Sequence, residues 1–481
     1  MNIELLIDAK DLKASNGATF DRIDPVTQEV ATTAPAATST DVSAALSSAA
    51  LAFKSWSKTG PTERRTLLLK AADIMDACAD KFIASMLTEI GSTAPWAGFN
   101  VSLSSGILRE AAALTTQIGG EIIPSNKPGT LAMGINKPKG VCLGIAPWNA
   151  PVILGTRAVA TAIACGNTVI LKASELCPAT HLLIGKVFQQ AGFPPGVLNI
   201  ITNAPQDAPD IVKQLINSSE VKHINFTGST EVGRIIAKLA AQNLKPVLLE
   251  LGGKAPLIIL EDADIDAAVN ASIFGAFMNQ GQICMSTERL IVVDKIADEF
   301  CKKLAARTAK LPAGNPRDKV VLGSLINAAA AIKMDQLIAD AKAKGGVIIA
   351  GGNRKGTIVE ATIIDHVNPD MRIYHEESFG PVKSVIRVKD EAEAIRVAND
   401  TKYGLSSAVF TRDIQRGMQV AEQLETGICH INGPTLADEP QMPFGGVKDS
   451  GYGRFGGKAA VAEFTDLRWI TIEDPHQHYP F

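Results

Sequence analysis

The sequence predicts an α/β protein with two successive domains, each built on a mainly parallel sheet that helices cover. From Val141 onward, short apolar runs alternate with helical segments, and the same alternation starts again at Pro256. Strands and helices in alternation form parallel sheets with helices on both faces. A chain of 481 residues is also too long for a single hydrophobic core.

The N-terminal part of the chain is predicted to be helical before the alternation begins. Apolar residues at three- and four-residue intervals predict a helix over 41–56, with Thr40 as its N-cap. Helices are also predicted over 65–78 and 81–90. Residues 119–138 contain a Gly-Gly pair, Pro124 and Pro128, a pattern typical of a hairpin arm.

The alternating regions predict the following elements in order. Strands are expected at Val141–Ala146, Thr168–Lys172, Val197–Ile201, His223–Phe226, Pro256–Leu260, Arg289–Val293, Val347–Ala350 and Lys383–Val388. Helices are expected over 151–164, 178–191 and 207–217, from Glu231, and over 265–278, 295–310 and 328–344. After Phe464, the segment Trp469–Ile472 is extended enough to pair with another strand or subunit.

Composition excludes several classes of function. The formal net charge of −3 gives no reason to expect a nucleic-acid or membrane partner. No long apolar run and no secretory signal are visible. The seven cysteines form no C-x-x-C pair, and the histidines are dispersed, which argues against disulfides and against a metal site, including one at His375. We therefore expect a cytoplasmic protein without a metal.

Two glycine-containing segments are candidates for binding a dinucleotide. Gly451–Gly456 matches G-x-G-x-x-G, but no strand precedes it, so we interpret it as a flexible loop. The better candidate is Phe226–Gly233, between a predicted strand and helix. There Gly228 permits a turn that a side chain would obstruct, Gly233 permits close helix packing, and the helix N-terminus offers free N–H groups to a pyrophosphate. Alone, this segment is as compatible with an ordinary turn.

Several motifs in a fixed order give the chain a specific resemblance. They are Ala146-Pro147-Trp148-Asn149, Leu171-Lys172-Ala173-Ser174-Glu175, Phe226-Thr227-Gly228-Ser229-Thr230, Leu249-Glu250-Leu251-Gly252-Gly253-Lys254, Gly281-Gln282-Ile283-Cys284, Glu376-Glu377-Ser378-Phe379-Gly380-Pro381 and Pro443-Phe444-Gly445-Gly446. On these residues the chain resembles the aldehyde dehydrogenase superfamily over nearly its whole length. Within it, the chain is most similar to bacterial salicylaldehyde, benzaldehyde and vanillin dehydrogenases.

The resemblance implies an oxidoreductase that works through a thioester. It makes Cys284 the nucleophile, although a lone cysteine is usually a buried structural residue. It makes Glu250 the general base; the apolar residues around Glu250 predict a raised pKa. Asn149, which would otherwise be interpreted as a turn or capping residue, becomes the oxyanion donor together with the Cys284 backbone N–H.

The cofactor implied is NAD, with NADP less favoured, because Glu175 would repel a 2′-phosphate. Lys172 and Glu175 are expected to bind the adenosine ribose, Glu377 the nicotinamide ribose, and Phe379 the nicotinamide ring. Many relatives have a lysine where this chain has Ala158, so affinity would depend more on Lys172 and Glu175. The full set of predicted cofactor residues is Ala146, Pro147, Trp148, Lys172, Ser174, Glu175, Gly228, Ser229, Gly233, Leu251, Glu377 and Phe379.

The predicted substrate is a small aldehyde, of the benzaldehyde, salicylaldehyde, hydroxybenzaldehyde or vanillin type. Aromatic and sulfur-containing side chains suit a flat ring, and Arg157 could meet a polar ring substituent. Helix packing for Trp96 and a surface salt bridge for Arg157 are equally compatible with the sequence. The predicted pocket residues are Trp96, Leu154, Arg157, Ile283, Met285 and Phe444.

The resemblance also implies an architecture. A Rossmann-like NAD-binding domain would comprise 1–118 and 139–248, a second α/β catalytic domain 249–445, and a small β oligomerisation arm 119–138 with 446–481. A homodimer or homotetramer is expected.

Four alternatives remain. The substrate could be aliphatic or a semialdehyde. Acyl transfer to coenzyme A is disfavoured by Glu250, and a non-catalytic protein is disfavoured by the intact Cys284, Glu250 and Asn149. A cysteine hydrolase would need His430 or His223 as partner, and neither lies in a recognisable setting.

Overall fold

The computed structural model describes all 481 residues. Fifteen helices are present: α1 Ser39–Trp56, α2 Pro61–Ala77, α3 Ala79–Ile90, α4 Ala94–Leu114, α5 Pro151–Ala164, α6 Pro178–Ala191, α7 Ala208–Asn217, α8 Thr230–Gln242, α9 Ile265–Phe277, α10 Asp294–Thr308, α11 Ala328–Ala343, α12 Arg372–His375, α13 Glu391–Asn399, α14 Ile414–Gln423 and α15 Gly457–Phe464. Short 3₁₀ turns lie at Pro205–Asp207 and Met278–Gly281.

The strands are β1 Leu5–Ile7, β2 Lys10–Leu12, β3 Thr19–Ile23, β4 Val30–Pro35, β5 Gly120–Ile123, β6 Leu131–Pro138, β7 Val141–Ile145, β8 Thr168–Lys172, β9 Leu198–Ile201, β10 Val221–Thr227, β11 Val247–Glu250, β12 Pro256–Ile259, β13 Arg289–Val293, β14 Val347–Ala350, β15 Arg354–Lys355, β16 Ile358–Val359, β17 Thr362–Asp365, β18 Val382–Val388, β19 Tyr403–Gly404, β20 Ser406–Phe410, β21 Ile428–Ile431, β22 Val447–Lys448, β23 Gly451–Tyr452 and β24 Thr465–Ile472.

The first large sheet has the strand order β2-β1-β9-β8-β7-β10-β11-β23. Strands β9, β8, β7, β10 and β11 are parallel, as expected for strands that alternate with helices. The chain runs outward from β7 to β9, then returns to place β10 on the other side of β7. Ligands of open α/β sheets bind beyond the carboxyl ends of strands at such a change of direction.

The second large sheet has the order β14-β17-β18-β13-β12-β20-β21. All its pairings are parallel except β14 with β17. Buried apolar residues cover both faces, in two clusters of 25 and 20 buried residues. These two sheets confirm the predicted α/β class.

A three-stranded antiparallel sheet joins distant parts of the chain. β24 pairs with β6 along its whole length, from Thr465 opposite Pro138 to Ile472 opposite Leu131, and β5 pairs with the other edge of β6. The C-terminal extended segment therefore pairs with the hairpin predicted over 119–138. No helix is long and apolar enough to cross a membrane.

Most predicted elements are present within a few residues of their predicted ends, but three expectations need correction. The cap of α1 is Thr38 rather than Thr40, because Thr38 and Asp41 form a capping box that starts the helix at Ser39. The long helix α4 was not predicted, because its buried face includes the polar residues Asn100, Ser104 and Ser105, which interrupt the apolar periodicity.

The third correction concerns the glycines after Ser450. They do not form a flexible loop, because Gly451 and Tyr452 pair antiparallel with the end of β11. A Cβ at Gly451 would lie only 2.0 Å from the Leu249 carbonyl oxygen, so glycine is required for this close approach. The segment thus extends the first sheet next to Glu250, at the end of β11.

Candidate active site

Cys284 lies just after an unusual left-handed turn. Asn279, Gln280 and Gly281 have φ values of 48°, 56° and 71°, a conformation that costs free energy in residues with a Cβ. Hydrogen bonds hold it: the Asn279 side chain donates to the Asn149 carbonyl at 3.0 Å, and that of Gln280 to the Ser324 carbonyl at 3.0 Å. The turn ends α9 sharply and directs Cys284 into the space between the two large sheets.

Asn149 follows β7 and lies against the same turn. Its side-chain nitrogen donates to the Gln282 carbonyl at 3.0 Å. Its own carbonyl accepts from the Trp96 indole N–H at 3.1 Å. These contacts hold the Asn149 amide against Gln282, which precedes Cys284 by two residues in the sequence. The amide nitrogen has a second hydrogen, which is available to an oxygen beside the thiol.

Glu250 ends β11 and is only 2% exposed. Neither carboxylate oxygen has a hydrogen bond of good geometry, although the Gly446 backbone N–H is close enough to lower the pKa slightly, and Oε1 lies 2.8 Å from where a Cβ at Gly445 would be. Burial raises the pKa of Glu250 to about 8, against a smaller opposing effect of Arg157. The direction predicted from its apolar sequence neighbours is therefore confirmed.

The charges of Glu250 and Glu377 both act on the Cys284 thiol. Burial is the main cause that raises the pKa of Cys284, followed by the charges of Glu250 and Glu377. Burial also raises the pKa of Glu377 to about 7, although its Oε1 accepts from the Gly253 N–H at 2.8 Å. Gly253 itself packs on the Cys284 carbonyl, where a Cβ would come within 2.2 Å of the oxygen. The thiol is therefore protonated at neutral pH until a base takes its proton.

Cys284 separates two cavities. One, of about 240 Å³, opens to the carboxyl edge of the first sheet, and the other, of about 210 Å³, is almost wholly apolar. Asn149, Leu154 and Cys284 line both of them. A molecule in either cavity can therefore reach the same sulfur.

The cavity at the sheet edge lies between the parallel strands β7 and β10, where the order in which the chain adds strands reverses. Pro147 and Trp148, which follow β7, face Thr227, Gly228 and Ser229, which follow β10. The remaining wall consists of Leu251, Gly252, Glu377 and Phe379. The Trp148 and Phe379 rings meet edge to face at 5.8 Å.

The comparisons with known proteins agree with this geometry. A sequence model described as the aldehyde dehydrogenase family matches residues 12–470. The chain is 54% identical to a vanillin dehydrogenase of Pseudomonas fluorescens and 51% identical to a salicylaldehyde dehydrogenase of Pseudomonas putida, over the full length of each. The chain belongs to the aldehyde dehydrogenase family. Its structure is also similar to the crystal structure of a salicylaldehyde dehydrogenase from Pseudomonas putida G7 complexed with salicylaldehyde, with a TM-score of 0.99 and 51% identity over all of both chains.

In this aldehyde dehydrogenase, the predicted cofactor residues fall into two groups. Pro147, Trp148, Gly228, Ser229, Leu251, Glu377 and Phe379 line the cavity next to Cys284. The others do not line it: Lys172 and Glu175 form an ion pair at the end of β8, where Asn203 also donates to Glu175 at 2.9 Å. Ala146 and Ser174 are buried, and the Ser174 N–H donates to His181 at 3.0 Å.

Two glycines of the predicted pyrophosphate segment have the expected steric roles. A Cβ at Gly228 would lie 2.4 Å from the Phe226 ring, and one at Gly233 would lie 2.5 Å from Leu251. Gly233 therefore lets α8 approach the loop that follows Glu250. Ser229 caps this helix, because its hydroxyl accepts from the Val232 N–H at 3.3 Å.

All six predicted pocket residues of this aldehyde dehydrogenase line the apolar cavity. Sequence reasoning missed other lining residues, including Phe99, Phe274, Met278, Leu436 and Asp438. Phe99 had a usable signal, because it lies one helical turn after Trp96 and stacks on it at 5.6 Å. Asp438 had none, since its partner Arg157 lies far away in the sequence.

Proposed function

We propose that this aldehyde dehydrogenase oxidises aromatic aldehydes to carboxylic acids with NAD as hydride acceptor. One observation carries the proposal: Cys284 faces both an apolar cavity and the cleft at the carboxyl edge of the first sheet. The aldehyde and the cofactor can therefore approach one sulfur from opposite sides.

The cavity and the relatives support an aromatic substrate of the benzaldehyde, salicylaldehyde, hydroxybenzaldehyde or vanillin type. Of the sixteen residues that line the cavity, thirteen are hydrophobic. Trp96, Phe99, Phe274 and Phe444 offer ring surfaces, and Met278 and Met285 adapt to a ring edge. Similar chains from pseudomonads are named for vanillin and salicylaldehyde, and one from Bacillus subtilis for benzaldehyde.

The reaction begins at the thiol. The Cys284 sulfur attacks the aldehyde carbon while Glu250, with a pKa of about 8, takes the thiol proton. The aldehyde oxygen becomes an oxyanion, which the free hydrogen of the Asn149 amide and the Cys284 backbone N–H stabilise. NAD, when bound, supplies the acceptor for the hydride that leaves this carbon, and a thioester remains on Cys284.

Glu250 then serves the second half of the reaction. A thioester is released as an acid only if water attacks its carbonyl carbon, and that water must lose a proton. Since no side chain donates to either oxygen of Glu250, the carboxylate can accept this proton. Release of the acid regenerates the thiol.

Several features of the cavity at the sheet edge support binding of a dinucleotide. Glycines 228 and 252 bring backbone to its surface, since a Cβ at either would collide with Phe226 or with Glu377. The N-terminus of α8 offers backbone N–H groups to a pyrophosphate. Lys172 and Glu175 would bind the adenosine ribose, and Glu377 the nicotinamide ribose. The carboxylate of Glu175 favours a free 2′-hydroxyl over a 2′-phosphate, hence NAD over NADP.

The domain organisation is proposed from the resemblance to the family. Residues 1–118 and 139–248 would form the nucleotide-binding domain, 249–445 the catalytic domain, and 119–138 with 446–481 an oligomerisation arm. Exposed apolar residues on the three-stranded sheet support the arm as a subunit contact: Leu467 and Trp469 are 70% and 77% exposed. A homodimer or homotetramer is the assembly we propose.

A substrate panel tests the proposed function. NADH and NADPH formation would be compared with benzaldehyde, salicylaldehyde, vanillin and hexanal, with and without coenzyme A. We expect kcat/KM to be highest for an aromatic aldehyde with NAD and to be independent of coenzyme A. A wide preference for hexanal would contradict the aromatic assignment. A requirement for coenzyme A would contradict the hydrolytic role of Glu250.

A further inference from the structure

The apolar cavity contains a single ion pair. One guanidinium nitrogen of Arg157, Nη2, donates to both carboxylate oxygens of Asp438 at 2.7 Å. The two side chains are only 7% and 11% exposed. The Phe444 ring covers the guanidinium at 4.4 Å from its centroid. Every other lining residue except Asn149 and Cys284 is apolar, so this pair controls the charge of the cavity.

Asp438 neutralises Arg157 without using all its donors. Nε and Nη1 of Arg157 donate to no protein acceptor. Neither nitrogen is fully buried. The cavity therefore offers N–H donors but no net positive charge. Such a surface can bind a hydroxyl or methoxy oxygen. It does not offset the free-energy cost of removing a carboxylate from water, because a buried carboxylate requires a cation that is not already paired.

The two charges also oppose each other at the reacting groups. Arg157 lowers and Asp438 raises the pKa of Cys284 and of Glu250, in each case after the larger effect of burial. Both charges therefore act across the cavity as far as the sulfur. A substrate that lies between this ion pair and Cys284 therefore experiences the sum of the Arg157 and Asp438 charges.

We propose that Asp438 is a specificity-determining residue that makes the cavity select neutral aromatic aldehydes and reject aldehydes that carry a carboxylate. This inference rests on the proposed function. It assigns to the loop between β21 and β22 a role in substrate choice that is separate from the catalytic chemistry.

The test is a charge cycle on the pair. The quantity measured is the ratio of kcat/KM for 3- or 4-carboxybenzaldehyde to kcat/KM for benzaldehyde. Asp438→Asn leaves Arg157 unshared, and we expect the ratio to rise about tenfold or more. Arg157→Gln leaves a lone carboxylate, and we expect the ratio to fall by a similar factor. The double variant restores neutrality, and we expect a ratio within about threefold of the parent enzyme.

Glu439→Gln is the matched control, because it removes the same charge from the next position, where the side chain is exposed. Its ratio should equal that of the parent enzyme. If Asp438→Asn is insoluble, Arg157→Gln and the double variant still give different expectations: the ratio falls in the first and stays near the parent value in the second. A ratio within twofold of the parent value in Arg157→Gln, or in Asp438→Asn where that variant is soluble, would overturn the role of Asp438. Failure of the parent enzyme to oxidise benzaldehyde would instead contradict the proposed function.

Discussion

The side-chain nitrogen of Asn149 donates to the backbone carbonyl of Gln282 at 3.0 Å, two residues before Cys284. This bond joins the end of β7 in the first sheet to the turn that carries the thiol. This bond, together with the one that the Asn279 side chain donates to the Asn149 carbonyl, holds the proposed oxyanion donor at a fixed distance from the nucleophile.

Asn149→Ala should lower kcat by about 10² to 10³, the usual effect of removing one oxyanion donor. The backbone around it should persist, because Trp96 and Asn279 both donate to the carbonyl of residue 149 rather than to its side chain. Steady-state kinetics and NAD binding by calorimetry would check this. A kcat within threefold of the parent value, with unchanged NAD affinity, would be incompatible with the oxyanion role.

Glu250→Gln should slow hydrolysis of the thioester more than its formation, because the substitution also removes a charge that raises the pKa of Cys284 and so favours loss of the thiol proton to solvent. A neutral amide cannot accept a proton from water, so the thioester on Cys284 should accumulate. Rapid mixing should show at most one NADH formed per active site, followed by turnover slower by about 10² or more. Mass spectrometry should find the acyl group on Cys284. Glu220→Gln, at an exposed position, is the control and should turn over normally.

The raised pKa of Glu250 predicts how activity depends on pH. Its base form increases as the pH rises through about 8. We therefore expect kcat/KM for benzaldehyde to increase with pH and to level off above that value. A profile that is flat between pH 6 and 9 would show that this group does not titrate in the free enzyme.

The same shift predicts an effect on stability. A carboxyl group with a higher pKa in the folded state than in the unfolded state destabilises the fold as pH rises through the interval between them, here from about 4.5 to about 8. Glu250→Gln should therefore have a higher Tm than the parent at pH 9, with the difference disappearing below pH 4.5. An equal Tm at both pH values would contradict the burial of the charge.

Gly233→Ala should disturb the contact between α8 and the loop after Glu250. The added Cβ would meet Leu251 at 2.5 Å, an overpacking that typically costs about 1–3 kcal/mol. We expect a lower Tm and a higher KM for NAD. Gly98→Ala in α4 is the control, since nothing lies within 4 Å of its added Cβ. It should be neutral or stabilising by about 0.5–1 kcal/mol.

Substitution of the exposed apolar residues of β24 should weaken the proposed subunit association. Leu467 and Trp469 lie on one face of the strand, since alternate residues of a strand share a face. Leu467→Ser with Trp469→Ser should shift the protein to a smaller species in light scattering, at unchanged helix content. An identical mass for parent and variant would exclude this face from the interface.

Local sequence signals predicted the strands and helices from Val141 onward well, because apolar periodicity reports directly on which side of an element is buried. They failed for α4, whose buried face includes the polar residues Asn100, Ser104 and Ser105, and for the glycines after Ser450. There the decisive contact joins Gly451 to Leu249, and no periodicity encodes a contact between segments so distant in the sequence.

The sequence by itself determined the α/β class, the family, and the candidate roles of Cys284, Glu250 and Asn149, because those depend on local patterns and ordered motifs. Only the tertiary structure decided that Asp438 neutralises Arg157, that three left-handed residues direct the thiol, and that one sulfur faces two cavities. Each of these depends on groups brought together by folding, and the energy of a buried charge is set by neighbours in space rather than along the chain.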